Sequence, residues 1–177
     1  MSTSLVSELE RLAAALESDG TAAAEVSLPA VADKIAKELR VKVDEVAILA
    51  VSNRWRHLHF LVPHVLKNVG FIPLTSNSAL AARTARDSRS EIINNFSAVR
   101  HASVFEGVKA PTMTGESIQK IISAPILFEG KVVGVMQVSR KGDSTSNAGP
   151  DFTAEELRRV LAICKPLGKL VSHMAGE

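Results

Sequence analysis

The sequence predicts an α+β fold, an antiparallel sheet packed against helices, on three observations. Apolar residues recur at helical spacing at both ends of the chain. Strand-like runs joined by short polar turns form two hairpins between those ends. Short helical segments interrupt the strands without the regular strand-helix alternation of a parallel α/β chain. With 177 residues, 46% of them hydrophobic, the chain has the size and apolar content of one domain able to bury its own core.

Leu5, Leu9, Leu12 and Leu16 alternate steps of four and three, which draws one apolar stripe along an N-terminal helix that Gly20 ends. The same spacing is a two-heptad coiled-coil seam, and we expect this stripe, with the C-terminal helix, to form a homodimer interface. Ser27 is placed to cap a second helix, with Pro29 in its first turn and Val31, Ile35 and Leu39 on one face. Residues 46–51 are apolar at every position, the mark of a central strand buried on both faces. The polar turn Ser52-Asn53-Arg54 leads to a hairpin partner at 57–62. Leu80 to Arg86, among four alanines, reads as a short helix; Glu91 to Ile93 reads as a short extended stretch before Asn94-Asn95; His101 to Val108 reads as another short helix.

Ile118 to Phe128 and Lys131 to Arg140 form a second hairpin around the turn dipeptide Glu129-Gly130. A loop rich in turn formers spans 142–149. Thr153 then caps the last helix, Glu156 closes a capping box, and Phe152 with Leu157 supplies a hydrophobic staple. This helix is expected to bury Leu157, Val160, Leu161 and Cys164, and to kink or end at Pro166, which removes a hydrogen bond. Strand order stays open at this level.

Charge and composition exclude several classes. The chain has 21 basic and 19 acidic residues, one Trp and no Tyr, so neither a broad positive field nor a set of stacking platforms is available for nucleic acid. The longest apolar runs fall far short of the roughly 20 residues that span a bilayer. Glu8 and Glu10 stand where a secretory signal would be basic and then apolar. A cytoplasmic protein without nucleic-acid or membrane partners is expected, and the single Cys164 agrees with a reducing compartment. The basic charge is concentrated in residues 51–110, with 8 basic against 3 acidic groups.

The segment from Ser123 to Lys141, SAPILFEGKVVGVMQVSRK, followed by Asp151-Phe-Thr-Ala-Glu-Glu-Leu157, resembles the C-terminal half of a GAF domain, and Leu80 to Asn94 resembles the family's middle helix and following strand. The similarity covers roughly residues 28–173, which divides the chain into an N-terminal helical segment, 1–27, suited to dimerisation, and a GAF-like domain, 28–173. The resemblance implies a six-stranded antiparallel sheet with terminal helices on one face, and with the short helices and loops of residues 65–120 enclosing a pocket on the other. It also implies a sensory or regulatory role: binding cyclic nucleotides, other small molecules, haem or bilins, or dimerising to transmit strain. Residues 1–27 and 174–177 are too short for an effector domain, so a separate signalling effector protein is expected. Arg140-Lys141, Phe152 and Glu155-Glu156 only approximate the family's cyclic-nucleotide signature. Bilin attachment would need a pocket cysteine, and free methionine sulfoxide reductases of this fold rely on several; one cysteine, on the apolar stripe of the last helix, does not fit either. The ligand and cofactor remain unnamed.

Asn77, Asn94, Asn95, Phe105, Ser123 and Gln137 are the residues the resemblance places near the pocket, a few amides and hydroxyls among aliphatic walls. Each has an alternative reading as a turn former or core residue. His57, His59 and His64 form the one metal-like cluster, but no carboxylate lies near them in sequence and Arg54 and Arg56 would repel a cation. No nucleophile elbow and no phosphate-binding glycine loop occurs, so no catalytic residue is assigned and a non-enzyme is expected. Enzymes on the same fold, and a purely structural dimerisation module, are the alternatives. Arg83, Arg86 and Arg89 read as a solvated helix face or as an attraction for an anionic ligand.

Overall fold

The computed structural model describes residues 2–18, 28–54, 56–62, 71–77, 79–96 and 117–174. Their elements are α1 (Ser2–Ser18), α2 (Leu28–Leu39), a 3-10 turn at Val43–Glu45, β1 (Val46–Ser52), β2 (His57–Val62), β3 (Phe71–Pro73), α3 (Leu80–Asp87), β4 (Glu91–Ile93), β5 (Ser117–Phe128), β6 (Lys131–Gly142) and α4 (Ala154–Met174). The strands form one sheet in the order β3-β2-β1-β6-β5-β4, every pair antiparallel. The α+β class and the six-stranded antiparallel sheet are as predicted. Gly20, Ser27, His64 and the segment 101–108 lie outside the described residues.

β1 is central because both of its faces are covered, and all seven of its residues are buried. Val46, Ile48 and Ala50 face a core shared with α1, α2 and α4. Ala47, Leu49 and Val51 face a second core with Leu80, Ala81 and Ala82 of α3 and with Phe60 and Phe96. The two-residue turn between β5 and β6 places Glu129 at φ 52° and Gly130 at φ 80°, the pair of left-handed residues that matches strand twist in a tight hairpin. β3 escapes the sequence pattern. Its three residues are too few to show a period, and Pro73 is tolerated because the strand lies at the sheet edge.

The structure departs from expectation at three places. Leu161 is 40% exposed, because the buried stripe of α4 runs through Val160, Ile163, Cys164, Leu167, Leu170 and Val171, and Leu161 lies one residue off it. α4 does not end at Pro166 but continues to Met174. A helix-interior proline costs about 3 kcal/mol, whereas burying Leu167, Leu170 and Val171 beyond it returns about 1.5–3 kcal/mol for each side chain. Three leucines of the α1 seam are covered by their own chain: Leu5 and Leu9 are buried in the core with α2 and α4, and Leu12 packs against it. The stripe is therefore not the free surface that motivated it as a dimer seam.

Candidate functional site

Antiparallel partners point to the same face of a sheet. Glu91 of β4, Ser123 of β5, Gln137 of β6 and Ala47 of β1 stand in one register row, so all four face α3. α3 carries Arg83 and Thr84 down onto this row. Its sequence explains the contact: Leu80, Ala81 and Ala82 are small or apolar and buried, which lets the helix lie close, while Thr84 interrupts that apolar face with a hydroxyl.

The direction of the hydrogen bonds follows from chemistry. Thr84 Oγ1 is 3.0 Å from the Leu80 carbonyl, which can only accept, so the threonine hydroxyl donates there. The Ser123 hydroxyl, 2.7 Å away, must then donate to Thr84 Oγ1. Ser123 Oγ in turn accepts from Gln137 Nε2 at 3.2 Å. Two hydroxyls and an amide thus form a buried polar chain, Gln137 to Ser123 to Thr84, with Leu49, Ile121, Val135 and Phe96 in the surrounding core. Beside it Arg83 donates from Nε and Nη2 to the two carboxylate oxygens of Glu91, at 3.0 and 3.2 Å, a bidentate pair.

Of the six residues selected from sequence, the structure brings Ser123 and Gln137 together. Asn94 sits at the end of β4 and turns away from them: its Oδ1 accepts from Phe152 N at 2.8 Å and its Nδ2 donates to Phe152 O at 3.2 Å. Asn77 and Asn95 are exposed, and Phe105 lies outside the described residues. Thr84 was missed. A threonine at that place in an alanine-rich helix, on its apolar face, was the available signal.

Two of the three arginines on or just after α3 are committed within the chain. Arg83 is held by Glu91, and Arg86 Nη1 donates to the carbonyls of Leu74 and Ser76, each at 2.6 Å; Arg89 is exposed. His57 and His59 do share a side of β2, but His57 stacks on Phe71 at 4.3 Å and meets His59 edge-on. Among the described residues no group of three or more His, Cys, Asp or Glu could hold a metal ion.

Of the residues that approximate the cyclic-nucleotide signature, Arg140, Phe152 and Glu156 meet one another on the opposite face, whereas Lys141 reaches Asp44 and Glu155 pairs with Arg158. The Arg140 guanidinium lies 4.2 Å above the Phe152 ring, pairs with Glu156 at 2.9 Å and donates to the carbonyls of Pro150 and Leu39. Lys120 is buried beside it, bonded to the Gly149 carbonyl and to Asp151. Thr153 and Glu156 form the expected capping box, each side chain accepting from the other's backbone N–H. Together these groups hold the loop before α4 against the sheet. Cys164 is also on this face, in the core under α1 and α2. Burial pushes its thiol up from an ordinary 9.0 to about 12, because the thiolate would lose its hydration there.

No curated protein matches this chain. Solved structures do. The GAF domain of an Acinetobacter phosphoenolpyruvate-protein phosphotransferase is 18% identical, with a TM-score of 0.64 over 100% of this chain and 98% of that one. Free methionine-R-sulfoxide reductase from Neisseria meningitidis, solved in complex with its substrate, is 16% identical, with a TM-score of 0.59 over 99% and 92%. The GAF domain of a two-component sensor histidine kinase from Bacillus halodurans is 15% identical, with a TM-score of 0.55 over 84% and 96%. At such identities the likeness concerns the fold, which enzymes and sensors share. The GAF domain family model matches residues 27–169, which include every strand of the described sheet, and the chain belongs to the GAF domain family.

Proposed function

We propose that this chain is a non-catalytic sensory domain that takes a small molecule on the α3 side of its sheet and conveys that state to a separate effector protein. The observation that carries the reading is the buried chain from Gln137 through Ser123 to Thr84. A few hydrogen-bonding groups set among aliphatic side chains are the usual make-up of a small-molecule site. Family membership supports a regulatory role. The polar groups of this row are neutral except for Glu91, which Arg83 already holds, so the ligand is a hydrogen-bonding molecule of low charge at this contact. The anion suggested by the basic segment fits less well, because two of the three arginines are occupied.

The non-catalytic reading rests on sulfur chemistry. Reduction of a sulfoxide by a protein thiol needs an accessible thiolate. The one cysteine of this chain is buried on the far side of the sheet, with its thiol held protonated to about pH 12. Turnover of free methionine-R-sulfoxide by the purified protein would overturn this part of the proposal.

A second copy of the chain fits the groove between α1 and α4. This groove of about 520 Å³ is lined by Val6, Ala13, Ala14, Ala162 and Pro166, with Glu10 on its α1 side and Lys165 and Lys169 on its α4 side. In a two-fold pair the acid of one protomer can face the lysines of its partner.

A thermal-shift screen tests ligand binding. A ligand at 100 times its dissociation constant adds about 2.7 kcal/mol, and the Ser123→Ala variant should lose most of that gain. No response to a broad panel of neutral and charged metabolites would leave the structural dimerisation module as the better reading.

A further inference from the structure

We infer that β4 couples the two faces of the sheet, tying α3 at its start to the beginning of α4 at its end. β4 is three residues long, lies at the sheet edge and, among the described strands, pairs with β5 alone. All three of its residues are only half-buried, so it is less constrained than the central strands, which are buried on both faces and resist displacement.

Its two ends are gripped from opposite sides. At the start, the Glu91 carboxylate receives both nitrogens of Arg83 from α3. At the end, the Asn94 amide binds the N–H and the carbonyl of Phe152, as a neighbouring strand would. Phe152 immediately precedes the capping box that begins α4, and its ring lies under the guanidinium that pairs with Glu156 in the first turn. A displacement of α3 therefore pulls on Glu91, moves the short edge strand as a unit and shifts the residue from which α4 starts. This supplies the proposed sensory domain with a route to its terminal helices, yet it rests on contacts within the chain and can be tested without a ligand, so its failure is distinct from failure of ligand binding.

The test perturbs α3 at a point off the route and reads α4. Thr84→Val removes the hydroxyl that joins α3 to Ser123 without touching Glu91 or Asn94. Amide hydrogen exchange at residues 152–158 should then quicken about three- to tenfold in the otherwise native chain, the scale of an ordinary coupling free energy. In an Asn94→Ala background the same change should have less than half that effect in logarithmic terms. Should Asn94→Ala fail to fold, Asn94→Asp keeps the acceptor for the Phe152 N–H and loses the donor to its carbonyl, and the same comparison applies. Coupling is reciprocal, so Glu156→Gln should shift the amide resonances of residues 83–87, and less so in the Asn94 variant. An effect of Thr84→Val that is absent from 152–158, or equal with and without the Asn94 amide, would overturn the inference.

Discussion

At the residue scale, burial decides what each polar group can do. Cys164 is deep in the core beneath α1 and α2, and its thiol, raised to about 12, stays neutral across the physiological range. It should resist alkylation in the native protein and react only on unfolding, which a timed thiol-labelling assay with and without denaturant will check. The same shift fixes the sign of a pH effect. The unfolded chain releases this proton near pH 9.0 while the folded chain keeps it to about 12. Between those values the unfolded state binds fewer protons and stability falls as pH rises. By pH 10, above the ordinary thiol value, the loss is on the order of 1 kcal/mol, and denaturant titrations of Cys164→Ala should lack that component. Ser123 illustrates the opposite case, a buried hydroxyl that both donates and accepts within the fold. Ser123→Ala takes the partner from Gln137 Nε2 and from Thr84 Oγ1 and should cost about 1–3 kcal/mol in chemical denaturation.

At the scale of elements, α4 is held by its fit to the strand beneath it. A Cβ built on Gly168 would lie 1.9 Å from the Leu127 carbonyl oxygen, a backbone atom that cannot swing aside. Gly168→Ala should therefore force helix and strand apart, with a loss of about 3 kcal/mol and a fall in Tm of about 6–12 °C for a chain of this size. The helix crosses Pro166 for a related reason: the apolar contacts of Leu167, Leu170 and Val171 offset the broken hydrogen bond. α1 is similarly anchored. Leu9 is 1% exposed, so Leu9→Ala should destabilise the fold by about 2–5 kcal/mol and leave the oligomeric mass measured by light scattering unchanged.

At the scale of the whole molecule, one sheet separates two cores with different tasks. The larger joins α1, α2 and α4 to the sheet and is almost wholly apolar, apart from the buried cations at its end. The smaller, under α3, encloses the hydroxyl and amide chain and is where a ligand is proposed. The outer groove between α1 and α4 is proposed for a second copy, and that proposal makes its own demand on mass. Ala162→Glu places a carboxylate in the groove at an exposed position. It should convert a dimer to a monomer in light scattering while leaving Tm nearly unchanged at low protein concentration. A native chain that stays monomeric at high concentration would rule the pairing out.

Sequence alone determined the elements whose pattern is local. The hairpin turn at Glu129-Gly130, the capping box at Thr153 and Glu156, the doubly buried β1 and the helical stripe of α2 each depend on residues a few positions apart, so periodicity and cap chemistry reveal them. Tertiary structure decided the rest. The three-residue β3 exists only because β2 offers an edge to pair with, and α4 passes Pro166 only because a sheet lies beneath it. Asn94 reads from sequence as a turn former or a pocket amide, and its partner proves to be a backbone 58 residues away. Ser123 and Gln137 were legible as candidates, but Thr84 and the direction of every hydrogen bond among the three came from distance. A polar side chain's role depends on which distant groups burial forces it to meet, and sequence spacing does not carry that information.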